Sequence, residues 1–273
     1  IPSRFDHAEP FNGGFARAKL NGVDYYIDTR GNCLYDYYSP LSDGSGAIVG
    51  YKGRYGMVDA AGTEVVKRKY ERIEPFSEGI AAVCSGGKWG YMDRGGKEVV
   101  ACKYDKADSF SSGLAKVTHK DVTGYINTQG RMIFVDRYDS STPFAGGYSD
   151  VTIGGRHGLV DSSGNLVVPC EYQAVRPLSE GMAAVRSGNL WGFTDALGRQ
   201  TVPCIYDKVE DFSGGVAKVC REWRWGIVNK DGHEVGECMF DAIGTFTGGF
   251  AAVVRGGKRG YICISGESVI LER

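Results

Sequence analysis

A glycine returns every 34 residues in this chain, at Gly56, Gly90, Gly124, Gly158, Gly192, Gly226 and Gly260. Two further columns keep the same interval. A Phe-x-x-Gly motif starts at Phe76, Phe110, Phe144, Leu178, Phe212 and Phe246, and an aromatic of a Tyr-Asp pair falls at Tyr70, Tyr104, Tyr138, Tyr172, Tyr206 and Phe240. Phe11, Tyr35 and Leu41 mark earlier, degenerate copies. Three columns sharing one period make internal repetition the strongest constraint on the fold.

A 34-residue period also suits a two-helix repeat. Here each copy carries two or three glycine-rich turns, which leaves no room for helices of about 12 residues. With 41 glycines in 273 residues, the chain is rich in tight turns. The segments between turns are short and rich in Val, Ile, Tyr and Phe, as strands are. One copy reads as strand (Gly113–Val117 in one unit, followed in its neighbour by the Gly86-Gly87 hairpin), strand (Lys88–Asp93), turn and strand (Lys97–Ala101). The turn is written Asp59-x-x-Gly62, Asp93-x-x-Gly96, Asn127-x-x-Gly130, Asp161-x-x-Gly164, Asp195-x-x-Gly198 and Asn229-x-x-Gly232. An Asx opening and a glycine closing is type I turn chemistry. Pro169 and Pro203 predict that the third strand stops or loses pairing there. Each unit is thus expected to be a three-stranded antiparallel meander plus a link through Tyr-Asp.

Both positions after the periodic glycine are apolar: Tyr91 and Met92, Ile227 and Val228, Tyr261 and Ile262. Strand alternation sends them to opposite faces, so both faces are expected to be buried and the units to stack face to face. The glycine itself is expected to admit a close neighbour, such as an aromatic of the next unit. Residues 4–11 match residues 103–110 in phase, and the chain ends just before the next expected aromatic, which makes about eight periods. The preferred fold is all-β: one array over 1–273, degenerate over about 11–41 and regular over about 42–273. It is closed as a propeller-like ring, with an N-terminal piece completing the last unit; an open β-solenoid is the alternative.

The recurring pattern K-W-G-[YF]-x-D-x-x-G-K-E-V-[VI]-P-x-K-Y-D, followed by F-S-x-G-L-A-x-V, resembles the bacterial WG (KWG) repeat family. It is fullest over residues 88–117 and 191–219. The chain departs from the pattern at Thr123, His157 and Arg259, and through most of residues 20–50. The resemblance implies a β-rich repeat array of bacterial type and brings no catalytic residues with it.

The chemistry the sequence offers is sparse. Lys+Arg (32) balances Asp+Glu (33), which gives no field for nucleic acid, and no apolar run reaches the roughly 18 residues of a membrane helix. The partners expected are therefore neither nucleic acid nor an inserted membrane. Residue 1 is isoleucine, so a processed or trimmed start is expected and export stays open.

Cys33, Cys102, Cys170, Cys204 and Cys238 share one column. Equivalent positions in stacked sheets are about 10 Å apart, too far for a disulfide. Buried free thiols are expected, with the same-unit pairs Cys84/Cys102 and Cys220/Cys238 the possible exceptions. No C-x-x-C supports a metal, and no cofactor motif occurs. The Asp column reads as turn capping rather than a cation ring, and the histidines have no local catalytic partners.

The position before the glycine is expected to be a ligand-binding rim: Tyr55, Trp89, His157, Trp191, Trp225 and Arg259. Together with Trp223, these tryptophans form either a platform for a peptide or glycan or packing between units. The function expected is a non-catalytic scaffold for a protein or peptide partner. The alternatives are a glycan-binding module and, less favoured, an enzyme with a loop-built site.

Overall fold

The computed structural model describes residues 5–11, 14–265 and 268–270. Every regular element among them is a strand, and the strands form eight four-stranded antiparallel sheets. The chain divides into two compact units, residues 1–136 and 137–273. In the first unit the sheets span residues 7–35, 37–70, 72–104 and 106–135; in the second, 140–172, 174–206, 208–240 and 242–270. Each sheet is one uninterrupted stretch of chain. The last is completed by its own Ser268–Ile270, while His7–Ala8 pairs within the first sheet. The expectation that an N-terminal piece supplies a strand to the last sheet is therefore not met among the described residues.

The meander has four strands, not three. The segment after Tyr-Asp, expected to be a mere link, pairs as a short leading strand. Lys106–Ala107 lies against Val117 and Thr118, and Lys208–Val209 against Val219 and Cys220. Three long strands follow, as Ile80–Ser85, Lys88–Asp93 and Glu98–Tyr104 illustrate. A residue after the aromatic locks the leading strand to its own hairpin. Glu71 accepts from the Gly86 and Gly87 amides at 3.1 and 3.0 Å. Asp105 accepts from Lys120 N–H, Asp139 from Gly154 N–H and Asp207 from Glu222 N–H, at 2.7–2.8 Å. These amides hold the Glu71 carboxyl below the usual carboxylate range.

The third long strand bulges. Tyr91 pairs with Val100 and Trp89 with Tyr104, so Ala101, Cys102 and Lys103 stand opposite Gly90 alone. In the five sheets with this register it explains the glycine and corrects its expected cause, whereas Gly124 and Gly260 pair directly with Val135 and Ile270. A Cβ on Gly90 would lie 2.4 Å from the Val100 carbonyl oxygen, and on Gly192 2.4 Å from that of Val202. The obstacle is the bulged strand of the same sheet, not an aromatic of the next. Pro169 and Pro203 sit inside this bulge, so the strand continues through them to Tyr172 and Tyr206.

Neighbouring sheets within a unit pack face to face, as two-sided burial requires. One core joins the sheets of Tyr91 and Phe110, whose rings meet edge-on with centroids 4.9 Å apart. Another joins those of Phe193 and Phe212, at 4.8 Å. The phenylalanine of Phe-x-x-Gly is thus the side chain that seals the junction with the preceding sheet. The serine after it ties successive links together: the Ser77 hydroxyl donates to the Phe110 carbonyl at 2.7 Å and that of Ser179 to the Phe212 carbonyl at 2.8 Å. The last sheet departs from two-sided burial. Phe250 and Tyr261, on the face that elsewhere meets the following sheet, are 59% and 56% exposed.

Candidate binding surface

The hairpin tips, the pre-glycine column and the carboxylates that lock the leading strands (Glu71, Asp105, Asp139 and Asp207) share one end of their sheets, opposite the turns of the Asp column. In the second long strand the residue before the glycine is half-buried in the sheets of Tyr55, Trp89, His157, Trp191 and Trp225, whereas Arg259 is exposed. Tyr55, Trp89, Trp191 and Trp225 each pack against the core between their sheet and a neighbour. Arginines cover two of the rings: Arg72 lies 5.3 Å from the Trp89 ring, and Arg176 and Arg186 lie 4.6 and 5.6 Å from that of Trp191. Three of the tryptophans are therefore largely committed to packing within the array. His157 replaces tryptophan and turns its Nδ1 to Asp150, 3.0 Å away.

Trp223 differs from the other three. It is 82% exposed, at the second position of the hairpin tip, with φ at +65°. The other copies place Gly22, Gly53, Gly87, Asp121, Gly155, Asn189 and Gly257 there. Those residue types tolerate a left-handed backbone; a bulky aromatic does not do so without strain. Lys208 Nζ stands 5.5 Å from the Trp223 ring, and Arg224, the next residue but none, is ion-paired to Asp241.

The cysteines are thiols, not disulfides. Their column has a local purpose: the Cys102, Cys170 and Cys204 thiols donate to the carbonyls of Val83, Val151 and Val185 at 3.6–3.7 Å, inside the bulge. Burial pushes the Cys238 thiol up to about 11. Cys170 shares a sheet with His157 and Asp150, but burial, with Asp150 and Asp139 nearby, pushes its thiol upward, the reverse of what a nucleophile needs. Denaturation without reductant is expected to expose eight titratable thiols per chain, with slow labelling of Cys84 and Cys220 in the native state. Recovery of fewer than half would show disulfides.

The Asp column caps turns. Asp59 accepts from the Ala61 and Thr63 amides, Asp195 from those of Leu197 and Arg199, and Asn229 from those of Asp231 and His233. Among the described residues no group of three or more His, Cys, Asp or Glu side chains is placed to hold a metal.

The fold and this edge define an all-β repeat protein. The family model described as "WG containing repeat" matches residues 1–23, 55–89, 89–121, 124–156, 158–191, 191–222 and 225–258, and the chain belongs to that family. Residues 24–54 lie outside the matches. No curated protein matches the sequence. Among solved structures the chain is similar to a eukaryotic initiation factor (TM-score 0.40, 10% identity, 99% of this chain and 89% of that one). It is also similar to Hsv2 of Kluyveromyces lactis (0.33, 13%, 86% and 97%). A third is PorZ, a surface component of the type-IX secretion system of Porphyromonas gingivalis (0.31, 10%, 98% and 45%).

Proposed function

We propose that the chain is a non-catalytic repeat scaffold that binds a protein or peptide along its hairpin edge, with Trp223 as an anchoring side chain. The observation that carries this reading is the strained, exposed ring of Trp223. A left-handed backbone at a side chain that is not glycine costs about 1 kcal/mol. The fold recovers little of that through Trp223, whose ring is solvent-facing apart from Lys208. Exposed tryptophan beside a cation is the composition of a binding hot spot. The half-buried column of Tyr55, Trp89, His157, Trp191 and Trp225, with exposed Arg259, would form the surrounding floor. Glycan binding is the second reading, since a sugar also stacks on an exposed indole. The closed, propeller-like arrangement remains part of this proposal, resting on the protection that radial repetition gives sheet edges.

Trp223→Gly tests it. The variant is expected to be more stable by about 1 kcal/mol, which raises the midpoint of thermal unfolding by roughly 2–4 °C. It is also expected to lose at least about tenfold in affinity for peptides selected on the wild-type protein. Unchanged peptide affinity would overturn the anchoring role. Selection of oligosaccharides only, with peptides failing, would replace the protein-binding reading by the glycan one.

A further inference from the structure

Around the longest stretch outside the family matches, residues 24–54, the packing between sheets is interrupted. In the sheet of residues 7–35 the residue opposite Tyr26 is Arg17, at the position that Ala82 and Ala184 fill in two sheets and Lys116, Asp150 and Lys218 in three others. Thirty-five residues, not 34, separate Leu41 from Phe76, and Leu41 packs toward the sheet of residues 72–104 instead of sealing the junction behind it. The leading strand of this second sheet, Tyr37–Pro40, is four residues long, against two in the other seven. A cleft of about 420 Å³ opens on one side of it, walled by Pro10, Phe15, Arg17, Tyr26, Tyr38 and Pro40. On its other side a cleft of about 190 Å³ is walled by Tyr37, Pro40, Leu41, Ile73, Pro75 and Phe76. Pro40 is a wall of both.

Inside the first cleft, three half-buried rings form one aromatic surface. Tyr26 and Tyr38 are 4.9 Å apart, Phe15 and Tyr38 5.3 Å, and Phe15 and Tyr26 6.0 Å. Within the third sheet the corresponding tyrosine is sealed: Tyr91 is fully buried under Phe110. Beside the cleft Arg17 bonds closely to Asp24, at 2.8 Å, on which Lys19 also acts, and stands farther from Glu9, at 3.7 Å, so the Glu9 carboxylate is the more loosely held. At the second cleft Arg94 is matched by Asp43.

We propose that these paired clefts bind a proline-rich peptide in the polyproline II conformation, with a basic residue of the peptide beside Glu9. Tyrosine and proline walls suit this ligand, whose stiff backbone loses little entropy on docking and presents side chains on three edges to adjacent pockets. Addition of a β-strand to the edge at Tyr37–Pro40 is the weaker fit, because Pro40 has no N–H to offer a ladder. The loosely held Glu9 carboxylate, which lines the first cleft, selects the basic flank. The residues are separate from Trp223, so this inference does not depend on the anchoring role proposed above.

The test is titration of the full chain with a synthetic peptide of three Ala-Pro-Pro repeats carrying an arginine at one end, followed by calorimetry and by the ring resonances of Tyr26 and Tyr38. Saturable binding is expected, at least about tenfold weaker when the prolines become alanine or when Tyr38 is changed to alanine. Trp223→Gly is expected to leave it unchanged. Glu9 is half-exposed, so Glu9→Lys preserves the fold and is expected to reverse the preference between arginine-tagged and glutamate-tagged peptides. Equal affinity for the alanine peptide would overturn the proposal, as would no shift of the Tyr26 and Tyr38 rings at millimolar peptide. So would an unchanged charge preference in Glu9→Lys, or occupancy of the clefts by an oligosaccharide in place of the peptide.

Discussion

Gly192→Val is expected to destabilise the protein by about 3 kcal/mol or more. The added Cβ would stand 2.4 Å from the Val202 carbonyl oxygen and 2.7 Å from the Pro203 carbonyl carbon. Both atoms are backbone, so no side-chain rotation relieves the overlap, and the bulge would have to open. Gly192→Ala, which adds only that Cβ, is expected to show most of the effect. Because the obstacle is in the same sheet, shrinking a side chain of either neighbouring sheet should not rescue the variant. Denaturant midpoints read the outcome: a wild-type midpoint for Gly192→Val would remove the bulge as the reason for the column, and rescue from a neighbouring sheet would restore close sheet approach as the cause.

Phe193→Ala is expected to cost about 3–5 kcal/mol. The side chain is fully buried, its ring meets Phe212 edge-on at 4.8 Å, and the two belong to successive sheets. Truncation leaves a cavity at a junction formed by rigid strands, which relaxes poorly. Since repeats gain stability from their nearest neighbours, hydrogen-exchange protection should fall first across residues 174–240. Leu197→Ala is the matched control: Leu197 is 75% exposed on a turn, and its loss should stay within about 0.5 kcal/mol. A loss below about 1 kcal/mol for Phe193→Ala would mean that the junction does not hold the sheets together.

The features legible in the sequence are those that repeat with fixed chemistry. The period, the strand character, the Asx-x-x-Gly turns and the face-to-face burial of Tyr91 and Met92 all follow from residue type at fixed spacing. The short leading strand was hidden because two residues, such as Lys106–Ala107, are too few to show alternation. The bulge was hidden because a register shift leaves no mark beyond Pro169, Pro203 and the glycine opposite. For the candidate site, a column can show that Trp89 and Trp191 are equivalent, but not that Trp223, two residues before Trp225, belongs to the hairpin tip. The comparison that separates it is with Gly53, Gly87 and Asn189. The clefts around Tyr37 and Tyr38 arise from departures, and a reading built on periodicity sees a departure such as Leu41, 35 residues before Phe76, only as decay.

The carboxylate that locks each leading strand to its own hairpin has a consequence for synthesis. Glu71 reaches Gly86 and Gly87 across 15 and 16 residues, and Trp89 finds Tyr104 15 residues on. Nothing in such a sheet waits for a distant partner, unlike the long-range pairings that slow most β proteins. A ribosome adding about 5–20 residues per second needs a few seconds to deliver one 34-residue period, whereas a hairpin closes in roughly 1–10 μs. Each period can therefore fold its sheet before the next one emerges, and the apolar face left bare in the meantime is covered by the period that follows.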